Sequence, residues 1–113
     1  LWFQQIAHVA ELTIDRDTNR RLSGATPSFD DGILVCPTAA GACVGIDLAT
    51  RSLLWGYQYP AFRPTINRYR TTTSFPNLGD RWVDGSATVA QGAVVLTPVE
   101  AGQLHCLDLL SGR

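Results

Sequence analysis

The chain has 113 residues, is 45% hydrophobic and 17% charged, and carries a formal net charge of −1. That is enough for one small domain, and it holds no run of eighteen apolar residues that could cross a membrane. Near-neutral charge removes the electrostatic case for nucleic acid or an anionic membrane surface as partner. There is no Met and no Lys, so all nine basic residues are Arg. A chain without Met reads as a piece of a longer protein, and the Arg bias fits a GC-rich genome. The opening "LWFQQIAHVAEL" lacks the basic region and small-residue cleavage site of a signal peptide.

In chain order, Leu1 to about Gln5 reads as the last strand of a preceding unit. "VAELTIDRDTNRRL" then mixes Asp15 and Asp17 with Arg16, Arg20 and Arg21, as an extended connecting loop does. A complete unit runs from about Gly24 to Tyr59. Its first strand is "ATPSF", and Asp30-Asp31-Gly32 is a turn signal. "ILVCPT" is β-branched and apolar, as a buried strand should be. Ala40-Gly41 offers the positive φ of a tight hairpin before "ACVGIDL". Asp47 ends that strand, "LATR" turns, and "SLLWGYQY" is a fourth strand rich in aromatics.

From Pro60 to Trp82 no strand pattern is evident. Arg63, Arg68, Arg70 and Arg81 mix there with Phe62, Tyr69, Phe75 and Trp82, which is an interface composition. Two readings stand: a loop folded over its own rim, or a loop presenting Arg63, Arg68, Tyr69, Arg70 and Arg81 to a protein or ligand partner. From about Ser86 to Leu109 the strand pattern returns as "SATVA", "AVVLTP" and "QLHCLDL", with turns at Gln91-Gly92 and Ala101-Gly102 and a closing "LLSG".

The two strand regions are copies. Gly32 falls on Gly92 at a spacing of 60, and Asp47 on Asp108 at 61. The extra residue lies in the hairpin, "TPVEAG" against "PTAAG". Leu1-Trp2 recurs as Leu54-Trp55 at a spacing of 53. Short antiparallel strands repeated at such intervals are the pattern of an all-β fold of the β-propeller type, one four-stranded blade per repeat. The chain then divides into residues 1–23 (last strand of a preceding blade plus loop), 24–59 (a complete blade), 60–85 (a long loop) and 86–113 (the first three strands of the next blade).

Few residues offer chemistry. Cys36, Cys43 and Cys106 are an odd set without a C-x-x-C pair, which argues against a disulfide framework or zinc site. They read as small buried hydrophobes. The hairpin is expected to put Cys36 and Cys43 on one face but diagonal, which disfavours a bridge. His8 and His105 are single histidines, and His105 reads as a strand residue satisfied by its neighbours.

Gly45-x-Asp47-x-x-Thr50-Arg51-x-x-x-Trp55 resembles the tryptophan-docking motif Ala-x-Asp-x-x-Thr-Gly-x-x-x-Trp of pyrroloquinoline-quinone (PQQ)-like propeller repeats. It departs at Gly45 and Arg51. The second copy, Cys106-x-Asp108-x-x-Ser111-Gly112, keeps the Gly and ends before its Trp. The resemblance implies that Trp55 and Trp2 pack between neighbouring blades and that Asp47 and Asp108 cap turns. Gly45, Thr50, Ser111 and Gly112 complete the motif. Quinoprotein dehydrogenases of this superfamily hold PQQ and calcium in a central funnel with a catalytic Asp and often a Cys-Cys pair. This segment carries no such pair and no clustered calcium ligands, so the expectation is no cofactor in the segment itself, with PQQ and calcium left to the parent protein. Two functions follow from the resemblance: a non-catalytic scaffold whose partners are the remaining blades and a protein at the 60–82 loop, or a fragment of a quinone-dependent dehydrogenase. Either implies a periplasmic or secreted protein.

Overall fold

The computed structural model describes residues 1–8, 23–61, 65–66, 73–74 and 81–113. Every regular element among them is a strand, and there is no helix among the described residues. The strands are β1 (Ser28–Asp30), β2 (Ile33–Pro37), β3 (Ala42–Asp47), β4 (Ser52–Gln58), β5 (Thr65–Ile66), β6 (Thr73–Ser74), β7 (Thr88–Ala90), β8 (Ala93–Leu96) and β9 (His105–Asp108). They form an antiparallel four-stranded sheet β1-β2-β3-β4, a two-stranded pair β5-β6, and an antiparallel three-stranded sheet β7-β8-β9. Each strand pairs only with its neighbours in sequence. No described helix is long and apolar enough to cross a membrane.

Local chemistry explains the hairpins. Asp31-Gly32 joins β1 to β2 with φ of 45° and 79°, and Gln91-Gly92 joins β7 to β8 with 52° and 75°. Positive φ at both central residues gives a turn whose twist matches that of the strands it joins. The β2–β3 hairpin turns through Ala39 and Gly41, with φ of 52° and 82°. The β8–β9 hairpin does not copy it: Gly102 has no positive φ, contrary to the sequence expectation. Its additional residue lets the chain turn over Pro98–Ala101 in ordinary backbone, closed by the Ala101 amide donating to the Pro98 carbonyl at 3.0 Å.

The ladder corrects two readings. In β2–β3, Cys36 pairs with Val44 and Pro37 with Cys43. Paired residues share a face and successive residues alternate, so Cys36 and Cys43 point to opposite faces. Cys43 lies in the core between the sheets, whereas Cys36 packs with Val44 and Ile46 on the far face. All three thiols are free, and Cys106 is exposed rather than buried. The second correction lies in the 60–82 stretch, where Thr65 pairs with Ser74 and Ile66 with Thr73 in a short ladder. β-branched Thr and Ile make that backbone favourable.

The core lies between the two larger sheets. Ile33, Val35, Cys43 and Trp55 of the first meet Val94, Leu96, Leu107 and Leu109 of the second. Val35, Cys43 and Val94 are wholly buried. Each such aliphatic side chain contributes about 1.5–3 kcal/mol relative to exposure.

Candidate functional site

The seam between the sheets carries the most specific geometry in the molecule, and it is fastened at three depths. At the β1–β7 side the Gly85 amide donates to the Gly24 carbonyl at 3.1 Å and the Thr26 amide to Ser86 Oγ at 3.2 Å. Ser28 Oγ donates to the Ala87 carbonyl. These bonds use backbone and hydroxyl groups only.

Trp55 holds the middle. Between Gly45 and Ile46 the β3–β4 register shifts: Gly45 pairs with Trp55 but Ile46 with Leu53. Leu54 is therefore an extra residue, a bulge that re-aims the strand. Leu53 and Leu54 are both exposed, and Trp55 turns inward, 8% exposed. Its Nε1 donates to the Leu109 carbonyl of the second sheet at 2.8 Å. The ring is flanked by two glycines. A Cβ on Gly45 would come within 2.5 Å of Trp55 Nε1, and one on Gly112 within 2.5 Å of Cδ2. Real Cβ atoms do not approach that closely, so both positions must be bare for the ring to lie flat.

Two Asp-capped turns frame this contact. The Thr50 and Ala49 amides donate to Asp47 Oδ1 at 3.3 and 2.8 Å. Ser111 donates to Asp108 Oδ1 through its hydroxyl at 2.7 Å and its amide at 2.8 Å. Hydrogen bonds to the ionised form hold both carboxyls below the usual carboxylate range, chiefly from the Thr50 amide at Asp47 and the Ser111 hydroxyl at Asp108. Thr50 Oγ1 also meets Ser52 Oγ at 2.7 Å. Asp47 and Asp108 sit in different sheets at separate turns, an arrangement for capping rather than for paired acid–base chemistry.

At the β4–β9 side the seam becomes aromatic and polar. Tyr57 Oη and His105 Nδ1 are 3.0 Å apart, and the two rings meet edge to face with centroids 5.7 Å apart. The Tyr59 ring lies 5.2 Å from His105 and 6.2 Å from Tyr57, so the three rings form one cluster. His105 Nε2 is buried with no hydrogen-bond partner among the described residues, so this histidine is not the satisfied strand residue that was expected. Tyr59 Oη donates to Glu100 Oε1 at 2.7 Å, and the Gly41 amide donates to the same oxygen at 3.1 Å. Glu100 is 1% exposed. Beside it an open cavity of about 360 Å³ is lined by Pro60, Ala61, Ala101, Gly102 and Gln103.

Other predicted positions are not gathered into this seam. Trp2 is 41% exposed, in company with exposed Leu1 and Phe3. Arg51, with its Cβ, occupies in the first sheet the place that bare Gly112 has in the second. Arg81, expected on a presented loop, is buried, and its Nε donates to the Val99 carbonyl at 2.9 Å. Arg63, Arg68, Tyr69 and Arg70 lie outside the described residues. Cys43 is unreactive by environment: burial, with Cys36 nearby as a smaller cause, pushes its thiol up to about 12.

Among the described residues no three His, Cys, Asp or Glu side chains converge as metal ligands. Calcium needs several oxygens aimed at one point, and a quinone site of the resembled type needs a catalytic Asp beside it. Asp47, Asp84 and Asp108 sit in separate turns, each accepting from a backbone amide. Sequence reasoning missed Gly41, Tyr57, Tyr59 and Glu100. Tyr57 and Tyr59 were legible as alternate residues on one strand face, and Glu100 as part of the one-residue insertion. Neither a family model nor a curated protein matches the chain.

Proposed function

We propose that this chain is a segment of a PQQ-like β-propeller, one complete blade and most of the next, and that it serves as a non-catalytic scaffold. The observation that carries the reading is the Trp55 contact, in which an indole of one repeat reaches the Asp108–Gly112 turn of the next. Large flat rings with one N–H suit a repeating sheet–sheet seam, because they bury area and satisfy a carbonyl together. Repeat proteins spread their stability over such seams, so the first partners of this segment are the other blades of its own propeller. A protein partner at the 60–82 stretch, around Arg63, Arg68, Tyr69 and Arg70, is the second. The family resemblance also supports a periplasmic or secreted location.

The sequence flanking this segment in its parent gene tests the reading. Further Asp-x-x-Thr/Ser-Gly-x-x-x-Trp units at intervals like those seen here are expected. Their absence would overturn the propeller assignment. Flanking calcium ligands, a catalytic Asp and a Cys-Cys pair would instead make the parent a quinone-dependent dehydrogenase. Titration calorimetry of the purified chain with PQQ and calcium is expected to show no micromolar binding.

A further inference from the structure

The repeat alignment leaves one residue of the second hairpin without a counterpart, in "TPVEAG" against "PTAAG". A surplus hairpin residue usually points into solvent. Here Val99, Glu100 and Ala101 are 2%, 1% and 3% exposed. The longer turn has folded inward, and Glu100 reaches the other sheet.

What it reaches is prepared for an acid. The Gly41 amide and the Tyr59 hydroxyl come from different strand ends and converge on one oxygen, Oε1. Gly41 holds its amide there with φ of 82°, a conformation that side chains disfavour. A Cβ at residue 41 would make ordinary contact with Ala61 Cβ and the Tyr59 carbonyl at 3.4 Å, so backbone conformation and not space favours glycine there. The Tyr59 hydroxyl also lies 3.4 Å from the Ala42 carbonyl, a longer contact than the 2.7 Å to Glu100. The first sheet's own hairpin carries Ala39 and Ala40 at the matching place, so it has no acid to offer. The seam is therefore directional, with donors on one sheet and the acid on the other.

We propose that Gly41 and Tyr59 form a carboxyl-binding receptor at the rim of the first sheet, that Glu100 is its built-in ligand, and that this pairing decides which hairpin seats beside that sheet. The partner that fits is a β-hairpin longer by one residue and bearing an acid at the turn. The proposal uses the repeat relation of the two sheets and not the propeller reading, which the flanking sequence tests separately.

Chemical rescue on the whole chain tests it. Glu100→Ala is expected to lower Tm by about 5–10 °C, because it removes the acceptor that two buried donors share. Truncation to Ala also empties the space that the carboxyl group filled, which is the place for a small acid. Sodium acetate should then restore at least half of the lost Tm, and sodium chloride at equal ionic strength should not. Adding Tyr59→Phe to Glu100→Ala should abolish the rescue. If Glu100→Ala does not fold, Glu100→Asp withdraws the acid by one methylene, and exchange of the Gly41 amide should quicken about ten-fold. Acetate no better than chloride, rescue that survives Tyr59→Phe, or unchanged Gly41 exchange in Glu100→Asp would each overturn the receptor.

Discussion

The turns at 47–51 and 108–112 begin alike and end differently. In both, an Asp carboxyl collects amide donors, and in both the fifth residue takes a left-handed backbone, φ 58° at Arg51 and 68° at Gly112. If that conformation alone required glycine, Arg51 would not stand in it. Gly112 meets a second demand that Arg51 escapes: the Trp55 ring occupies the space where its Cβ would be. The glycine of the motif is thus set by the neighbouring sheet more than by its own turn. Trp2, which would need the same bare surface at position 51, is left partly exposed.

The largest way to break this comparison is to remove the ring. Trp55→Ala should cost about 3–5 kcal/mol in denaturant unfolding, as for other buried aromatics. Trp55→Phe keeps a ring between the glycines and strands the Leu109 carbonyl, so it should cost less, about 1–2 kcal/mol beyond any packing loss. Equal costs for the two would mean that the hydrogen bond, and not the flat stack, carries the seam.

Next in size is a pair of opposite substitutions at equivalent places. Gly112→Ala adds left-handed strain to a clash with the ring and should destabilise by about 2–4 kcal/mol. Arg51→Gly relieves strain where no ring is pressed, and should leave stability unchanged or raise it by up to about 1 kcal/mol. If Gly112→Ala were as mild as a surface change, backbone conformation would be the sole reason for glycine there.

The smallest effect sharpens what the two turns share. Asp47 and Asp108 are held below the usual carboxylate range in the folded chain. A depressed carboxyl contributes stability that is fully present above its unfolded value and is lost as pH falls through the folded one. Carboxyl carbon NMR should therefore show both groups titrating below ordinary aspartates, with unfolding favoured only in that acid range. Asp108→Asn should remove one of the two titrations and leave the other in place. A normal midpoint at either residue would mean that its turn is not held by the carboxylate.

Much of the fold was legible because its signals are local. Apolar runs of four to six residues, Gly-containing turns and Asp at strand ends mark where the chain reverses. What could not be read depends on counting by one. A single residue decides a face in a strand: Cys36 and Cys43, expected on one face, lie on opposite faces because Cys36 pairs with Val44 and not with Cys43 or Gly45. The Leu54 bulge likewise inverts the alternation of β4 just before Trp55. The candidate site was half legible. Trp55 and the Asp turns belong to a motif with fixed spacing. Glu100 and Tyr59 belong to none, and their meeting across 41 residues follows from how the sheets stack. Arg81 resembled a surface arginine by composition alone, whereas its buried place depends on a carbonyl eighteen residues away.

Strictly sequential strand pairing has a kinetic consequence. Within each of the two larger sheets the loops to be closed are two to eight residues long, and hairpins form in about 1–10 μs. The seam is another matter, since its bonds join residues 41 to 61 apart. Closure entropy grows slowly with length, about 0.6 kcal/mol per doubling, yet one large loop must be closed before any of these bonds forms. Two hairpin-built sheets would accordingly assemble early and meet late, with Trp55 exposed until they do. The time spent waiting for that encounter is the interval in which an apolar ring and an open strand edge are available to other chains.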